Sequence, residues 1–154
     1  MRYGLVRTVD ILTEDPAAGL GAGRFSFSFK PEIGELANSI RAVGLVNPPL
    51  LRGRGGGFEV VCGFKRVLAC KSLGLAEIAA LMYEEDELPD EKCLWFSLID
   101  NACPGRMSPV ERATALMKFS EQGYDADRLA EEVAPRLGLP SSRRYVEGSL
   151  GLIS

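Results

Sequence analysis

The run VVCGFKRVLACKSLG, Val60 to Gly74, passes from strand-like residues through one glycine into two adjacent cations and then into helix-like spacing. A strand that breaks at Gly63 into the first turn of a helix leaves backbone N–H groups without intrahelical partners, and such donors suit an anion. Lys65 and Arg66 stand beside them. Cations at a helix N-terminus oppose the macrodipole by a few tenths of a kcal/mol up to roughly 1. An anion explains why two are placed there; the alternative is a solvated start to a helix.

Several other chemistries are excluded. The chain has no histidine, which removes imidazole catalysis, and Cys62, Cys70, Cys93 and Cys103 form no CxxC pair, which argues against structural zinc. Cys62 and Cys70 fall where a strand and a helix should be buried, so they read as small core residues. GRGGG, before Phe58, resembles a phosphate loop but precedes a strand and lacks the GK[ST] ending, so it reads as a hairpin turn. The acidic run YEEDELPDE, Tyr83 to Glu91, reads as a solvated linker rather than a metal site. Of the 154 residues, 46% are apolar and 25% charged, with a formal net charge of -3, so nucleic acid would need a local basic face. No apolar run approaches the roughly 18 to 20 residues that span a bilayer, and a cytoplasmic location without membrane contact is expected.

The elements that must position Gly63 follow from periodicity. Phe25, Phe27 and Phe29 at period two predict a half-buried strand. KPEIGELANSIRAVG predicts an amphipathic helix carrying Ile33, Leu36, Ala37, Ile40 and Val43, with Pro31 in its first turn and Gly44 as a left-handed stop. Strands are expected at Pro49 to Arg52, at Phe58 to Cys62, and in LAEIAALMYEE with Ile78, Ala80 and Met82 on one face; a helix is expected from Phe64 to Leu73. Beyond Asp86 the pattern is helical. Leu94, Trp95, Leu98, Ile99 and Ala102 share one predicted face, and Ser108, Pro109 and Glu111 form a capping box. The expectation is an α+β core over 1–85 and an all-helical region over 86–154.

LANSIRAVGLVNPPLLRGRGGGFEVVCGFKRVLACKSLGLAEIAALMYEE, Leu36 to Glu85, resembles the N-terminal domain of the ParB family, the chromosome and plasmid partition proteins: L-x-x-SI-x-x-x-G-[IL]-x-x-P, a hairpin, then a G-x-[KR]-R box at the head of a helix ending in LG. LIDNACPGRMSPVERATAL resembles the family's third motif, and YDADRLAEEVAPRLGLPSSRRYVEGSLGL its helix-turn-helix part. The resemblance implies the ParB and sulfiredoxin-like fold and binding of a nucleoside triphosphate, CTP, with Mg2+. Gly44, Leu45, Val46, Asn47 and Pro48 would form the loop that meets the nucleotide, and Gly63, Lys65 and Arg66 would hold its phosphates. Asp100 would serve hydrolysis and Asn101 the magnesium ion; both equally suit a helix end, since Asn is a common terminator. Arg143 and Arg144 would contact double-stranded DNA, or form a solvated face. A homodimer that clamps DNA is the implied assembly.

Departures from the pattern qualify the chemistry. Phe64 stands where the family has an acidic residue, and Lys65 replaces an arginine, giving a point charge where a fork is usual. Asp100 is shorter than the usual Glu, and Pro104 occupies an arginine position that Arg106 would have to serve, so any triphosphatase would be slow. Pro135 interrupts the helix before the expected turn. The competing reading is a small-molecule phosphotransferase like the superfamily's free-serine kinases, with Glu32, Glu35 or Glu59 as base. Nuclease and sulfiredoxin chemistry rank lower, because Cys62 sits two positions early for the sulfiredoxin thiol and on a different strand face.

Overall fold

The structure is a computed structural model that describes residues 1–13, 23–28, 32–101 and 107–151. The chain divides into two units, Met1–Pro89 and Asp90–Ser154. Phe29, Pro31, Ala102, Cys103, Pro104 and Arg106 lie outside the described residues.

Five strands build the first unit: β1 (Arg2–Arg7), β2 (Ile11–Leu12), β3 (Leu50–Arg54), β4 (Gly57–Cys62) and β5 (Glu77–Tyr83), in the sheet order β1-β5-β3-β4-β2. β1 with β5 and β3 with β4 are antiparallel, whereas β3 with β5 and β2 with β4 are parallel. Helices α1 (Gly34–Val43) and α2 (Phe64–Ser72) cover one face of the sheet. Alternation along β5 sends Ile78, Ala80 and Met82 inward, as the spacing predicts, where they join Leu51, Val60 and Val67. Cys70 is fully enclosed and Cys62 buried, so both are core residues; burial pushes the Cys70 thiol up from its ordinary value. The GRGGG stretch is a hairpin turn: Gly55 and Gly56 have φ of 55° and 84°, and Arg54 faces Gly57 across it.

On the opposite face β3 and β4 carry a polar seam. Glu59 accepts hydrogen bonds from Arg52 Nε at 2.8 Å, from Arg52 Nη2, from Arg24 Nη1 at 3.1 Å and from Arg54 Nη1 at 3.3 Å. Arg52 also donates to the Leu88 carbonyl at 2.6 Å. The Phe25 ring roofs the seam, with the Arg24 and Arg52 guanidiniums 5.1 and 5.4 Å from its centroid.

Phe25 and Phe27 are both buried, but residues 23–28 form a turn and irregular chain, not the expected strand. The Ser26 N–H closes a turn onto the Gly23 carbonyl, and the Ser26 hydroxyl accepts from the Ser28 N–H. Local serine bonds thus take the groups a ladder would need. α1 begins at Gly34, with Ile33 in the preceding cap position. Gly44 ends it at φ 85°, ψ 177°, a region open essentially only to glycine and different from the expected left-handed stop. The acidic run folds into a short tight turn at Glu85–Glu87, closed by a reciprocal cap in which the Glu84 N–H donates to Glu87 Oε2 at 2.7 Å; that bond holds the Glu87 carboxyl below its usual range. Among the described residues no three metal-ligating side chains cluster, and no helix is long and apolar enough to cross a membrane.

The second unit holds α3 (Asp90–Asn101), α4 (Pro109–Glu121), the single turn α5 (Ala126–Arg128), and α6 (Arg143–Gly151). α3 buries Cys93, Leu94, Ser97 and Leu98, whereas Ile99 is 61% exposed, contrary to the predicted face. Trp95 lies at the edge of the buried face because its indole N–H needs a polar partner, the Tyr124 hydroxyl at 3.0 Å. Tyr124 in turn donates to Glu91 at 2.5 Å, packs edge-on against Phe119 and carries the Arg128 guanidinium 3.6 Å above its ring. The capping box of α4 is present, Glu111 N–H to Ser108 Oγ and Ser108 N–H to Glu111 Oε1, both at 3.1 Å. After α5 the chain widens into a π-type turn at Leu129–Val133 and tightens into a 3-10 turn at Ala134–Leu137. The coil therefore continues through Pro135 by changing pitch, with the Ala134 N–H reaching back to the Leu129 carbonyl.

Glu59→Ala would leave the enclosed Arg52 guanidinium without its carboxylate, and we expect a loss of about 3 kcal/mol in urea unfolding. Burial first, and Glu91 second, push the Tyr124 hydroxyl above the ordinary tyrosine range. The folded state holds this proton more tightly than the unfolded chain. The associated stability is therefore complete below about pH 10 and is lost as pH rises through the folded value. Tyr124→Phe should flatten that alkaline decline, read as the change in thermal midpoint between about pH 8 and 11 with Trp95 fluorescence as probe.

Candidate functional site

Gly63 is the hinge between β4 and α2, in the left-handed region at φ 87°, ψ 32°. A β-carbon there would lie 2.7 Å from Arg66 Nη2, 2.8 Å from Nε and 2.9 Å from Cζ, so the guanidinium is folded across the bare glycine. Arg66 Nη1 donates to the Asn47 carbonyl at 3.0 Å. One side chain thus links the head of α2 to the loop between α1 and β3.

Beside this link is a recess with roughly 160 Å³ of free volume. Gly44, Leu45, Val46, Asn47 and Arg66 form one wall, and Leu36, Ser39 and Ile40 of α1 form the other. The structure therefore brings Arg66 together with four of the five loop residues singled out from the sequence. Pro48, Gly63 and Lys65 are not part of its lining. Pro48 is half-buried, and the carbonyl of the next residue, Pro49, accepts the Leu81 N–H at 2.9 Å, which anchors the exit of the loop to β5. Lys65 is exposed and has no partner among the described residues. Sequence reasoning passed over Leu36, Ser39 and Ile40 as wall residues. Their i, i+3, i+4 spacing, ending one turn before Gly44, was the available signal.

The other candidates lie in the second unit. Asp100 is exposed at the last turn of α3, and the Asn101 amide donates back to the Ser97 carbonyl at 2.7 Å, a helix-end bond. An amide oxygen and a carboxylate are hard donors of the kind magnesium takes alongside phosphate oxygens, so the residue types fit that ion. Arg143 is committed within the helical unit: Nε donates to Glu147 at 2.9 Å and Nη1 to Asp127 at 3.5 Å, and these contacts, Glu147 first, raise its affinity for its proton. Arg144 is exposed with no partner among the described residues. Of the carboxylates considered as a phosphotransferase base, Glu32 and Glu35 are exposed near the start of α1. Glu59 is ruled out, because its oxygens are occupied by three arginines.

Residues 24–102 match the family model described as ParB N-terminal domain, and the chain belongs to that family. It is 37% identical over 119 residues to the chromosome-partitioning protein Spo0J of Thermus thermophilus, a match covering 77% of this chain and 41% of that protein. It is 33% identical to the probable chromosome-partitioning protein ParB of Coxiella burnetii, over 80% of this chain and 40% of the relative, and 35% identical to a nucleoid occlusion protein of Geobacillus kaustophilus, over 70% and 36%. The chain thus spans about two fifths of the length of these curated relatives. In fold it is similar to C-terminally truncated ParB from Caulobacter crescentus complexed with CTP-gamma-S, with a TM-score of 0.52 and 22% identity over 99% of this chain and 79% of that one. It is also similar to the same protein complexed to the centromeric parS site, with a TM-score of 0.54 and 18% identity over 97% and 71%. The expected fold class, a mixed α and β core followed by helices, is the one observed.

Gly63→Ala should cost about 1 to 2 kcal/mol for the left-handed backbone and force Arg66 off the glycine, so that amide exchange across Gly44 to Asn47 accelerates. Unchanged exchange in that loop would show that Arg66 does not tether it.

Proposed function

We propose that this chain is the nucleotide-binding part of a ParB-type partition protein, a switch in the cytoplasm that takes CTP with Mg2+, associates with double-stranded DNA and works as a homodimer. The observation that carries the reading is the Arg66 link: a guanidinium resting on a bare glycine at a helix head, tied to the carbonyl of a glycine-started loop, beside a recess. Phosphoryl oxygens would take over the guanidinium from the Asn47 carbonyl, while the Gly63 turn presents the first backbone N–H groups of α2 at close approach. Lys65 adds a mobile point charge. The apolar side chains of Leu36, Ile40 and Leu45 suit the flat face of a base, with the Ser39 hydroxyl and loop backbone groups at its edge. The complex of the Caulobacter relative with CTP-gamma-S supports cytosine as that base.

When bound, magnesium would neutralise phosphate charge, with the Asn101 amide oxygen as the donor that suits it and Asp100 as the carboxylate for slow hydrolysis. Arg66 exchanges a protein carbonyl for a ligand in this scheme, so nucleotide occupancy alters the tether on the α1 to β3 loop and shifts the population of loop conformations. At the DNA end, Arg144 is the better contact, because Glu147 and Asp127 already offset Arg143. Acidic side chains outnumber basic ones from Asp90 onward, which makes that contact local and salt-sensitive.

Calorimetric titration with each of the four ribonucleoside triphosphates and Mg2+ tests the reading, with CTP expected to bind in preference to the others. Arg66→Ala should weaken CTP about 10- to 100-fold, as loss of a charge-assisted contact. Lys65→Ala, at an exposed position, should weaken it by less, about threefold to tenfold. Equal affinity of the parent and both variants would place the nucleotide elsewhere and overturn the assignment.

A further inference from the structure

We propose that the free edge of β1 is a docking groove for one extended peptide segment of a partner protein, apolar along its middle and acidic at its ends. Among the described residues β1 pairs with β5 alone, so every second backbone N–H and C=O along it faces away from the sheet. A groove of about 480 Å³ touches all six residues from Arg2 to Arg7, residues of both alternating faces, as only the rim of a strand can. The rest of its lining is Phe58 of β4, Met82 of β5 and Asp10, which ends the three-residue turn Thr8–Asp10 that carries the chain from one edge strand, β1, to the other, β2. The sheet therefore curls until its two ends flank one channel.

The lining says what fits. Tyr3 and Leu5, 67% and 71% exposed, line it from the outer face, and Phe58 and Met82 line it from the core side, apolar surfaces for the alternate side chains of a strand. Gly4 adds no side chain at the middle of the strand, where a β-carbon would lie 3.4 Å from Met82 Cε. Arg2 and Arg7 stand at the two ends of the strand, against the single carboxylate of Asp10 in the lining. Arg2 meets Glu84 at 3.7 Å and Arg7 meets Asp10 at 2.9 Å. Exposed pairs of this kind are weak, so an incoming carboxylate competes for both. A second copy of this chain is disfavoured as occupant, since its own β1 carries a sheet behind it and the channel is walled on both sides.

The test uses a fluorescein-labelled peptide of alternating valine and threonine with glutamate at both ends, titrated by anisotropy against the full chain, with amide exchange as a second readout. The expected result is saturable binding that slows exchange at Arg2 to Arg7. N-methylation of alternate peptide nitrogens should cost at least about tenfold, since it removes ladder donors without touching the protein. Arg2→Glu, an exposed change, should cost about fivefold. Equal binding of the N-methylated peptide overturns the proposal, as does protection elsewhere than β1. Concentration-dependent protection of β1 without peptide overturns it too, because the occupant would then be a second copy.

Discussion

Everything at the candidate site depends on one backbone conformation, the left-handed turn at Gly63. It lets β4 stop and α2 begin within a single residue, so the buried side chains of Val60 and Val67 reach the same core from a strand and from a helix. The missing β-carbon leaves the space that Arg66 fills. Sterics, rather than charge, therefore places the guanidinium, and charge decides what it exchanges partners with. A phosphate-binding loop of the longer kind would need several glycines and its own backbone cradle; here one glycine, one arginine and a neighbouring loop divide that work.

Two faces of one sheet use different physics. The helix-covered side is apolar and close-packed, and substitutions there act through cavities. The opposite side holds Glu59 among Arg52, Arg24 and Arg54, where the geometry is set by charge-assisted hydrogen bonds and by the Phe25 ring above them. Such a seam specifies pairing: sliding β4 by one residue would point Glu59 at Val60's place in the core, at the full desolvation cost of an unpaired carboxylate. The register that carries Gly63 to its position is thereby fixed from the far side of the sheet.

Much of this was legible in the sequence because the informative residues act locally. The Gly55 and Gly56 hairpin, the Ser108 cap and the β5 alternation each follow from a few neighbours, as does the strand-to-helix break at Gly63. What was not legible depends on partners distant in the chain. Phe25 is buried by stacking against Arg24 and Arg52, not by joining a ladder, and its period-two spacing with Phe27 reports two buried side chains without reporting a strand. The rotation of α3 depends on the hydroxyl of Tyr124, which no spacing within α3 reveals. The α1 wall of the recess is hidden for a related reason. Leu36 and Ile40 read as ordinary core positions, and only the folded loop shows that they also border open space.

The wide turn at Leu129–Val133 has a consequence for how this segment can vary. A π-type turn accommodates one more residue than a regular helical turn, and each added residue advances the direction of later side chains by about 100°. Insertions and deletions of a single residue in this stretch would therefore re-aim the side chains of the coil that continues from it, Arg136 and Leu137 among them, even with every remaining side chain preserved. Within this coil, then, length constrains the structure more strictly than composition does, and substitutions should be tolerated more readily than gaps.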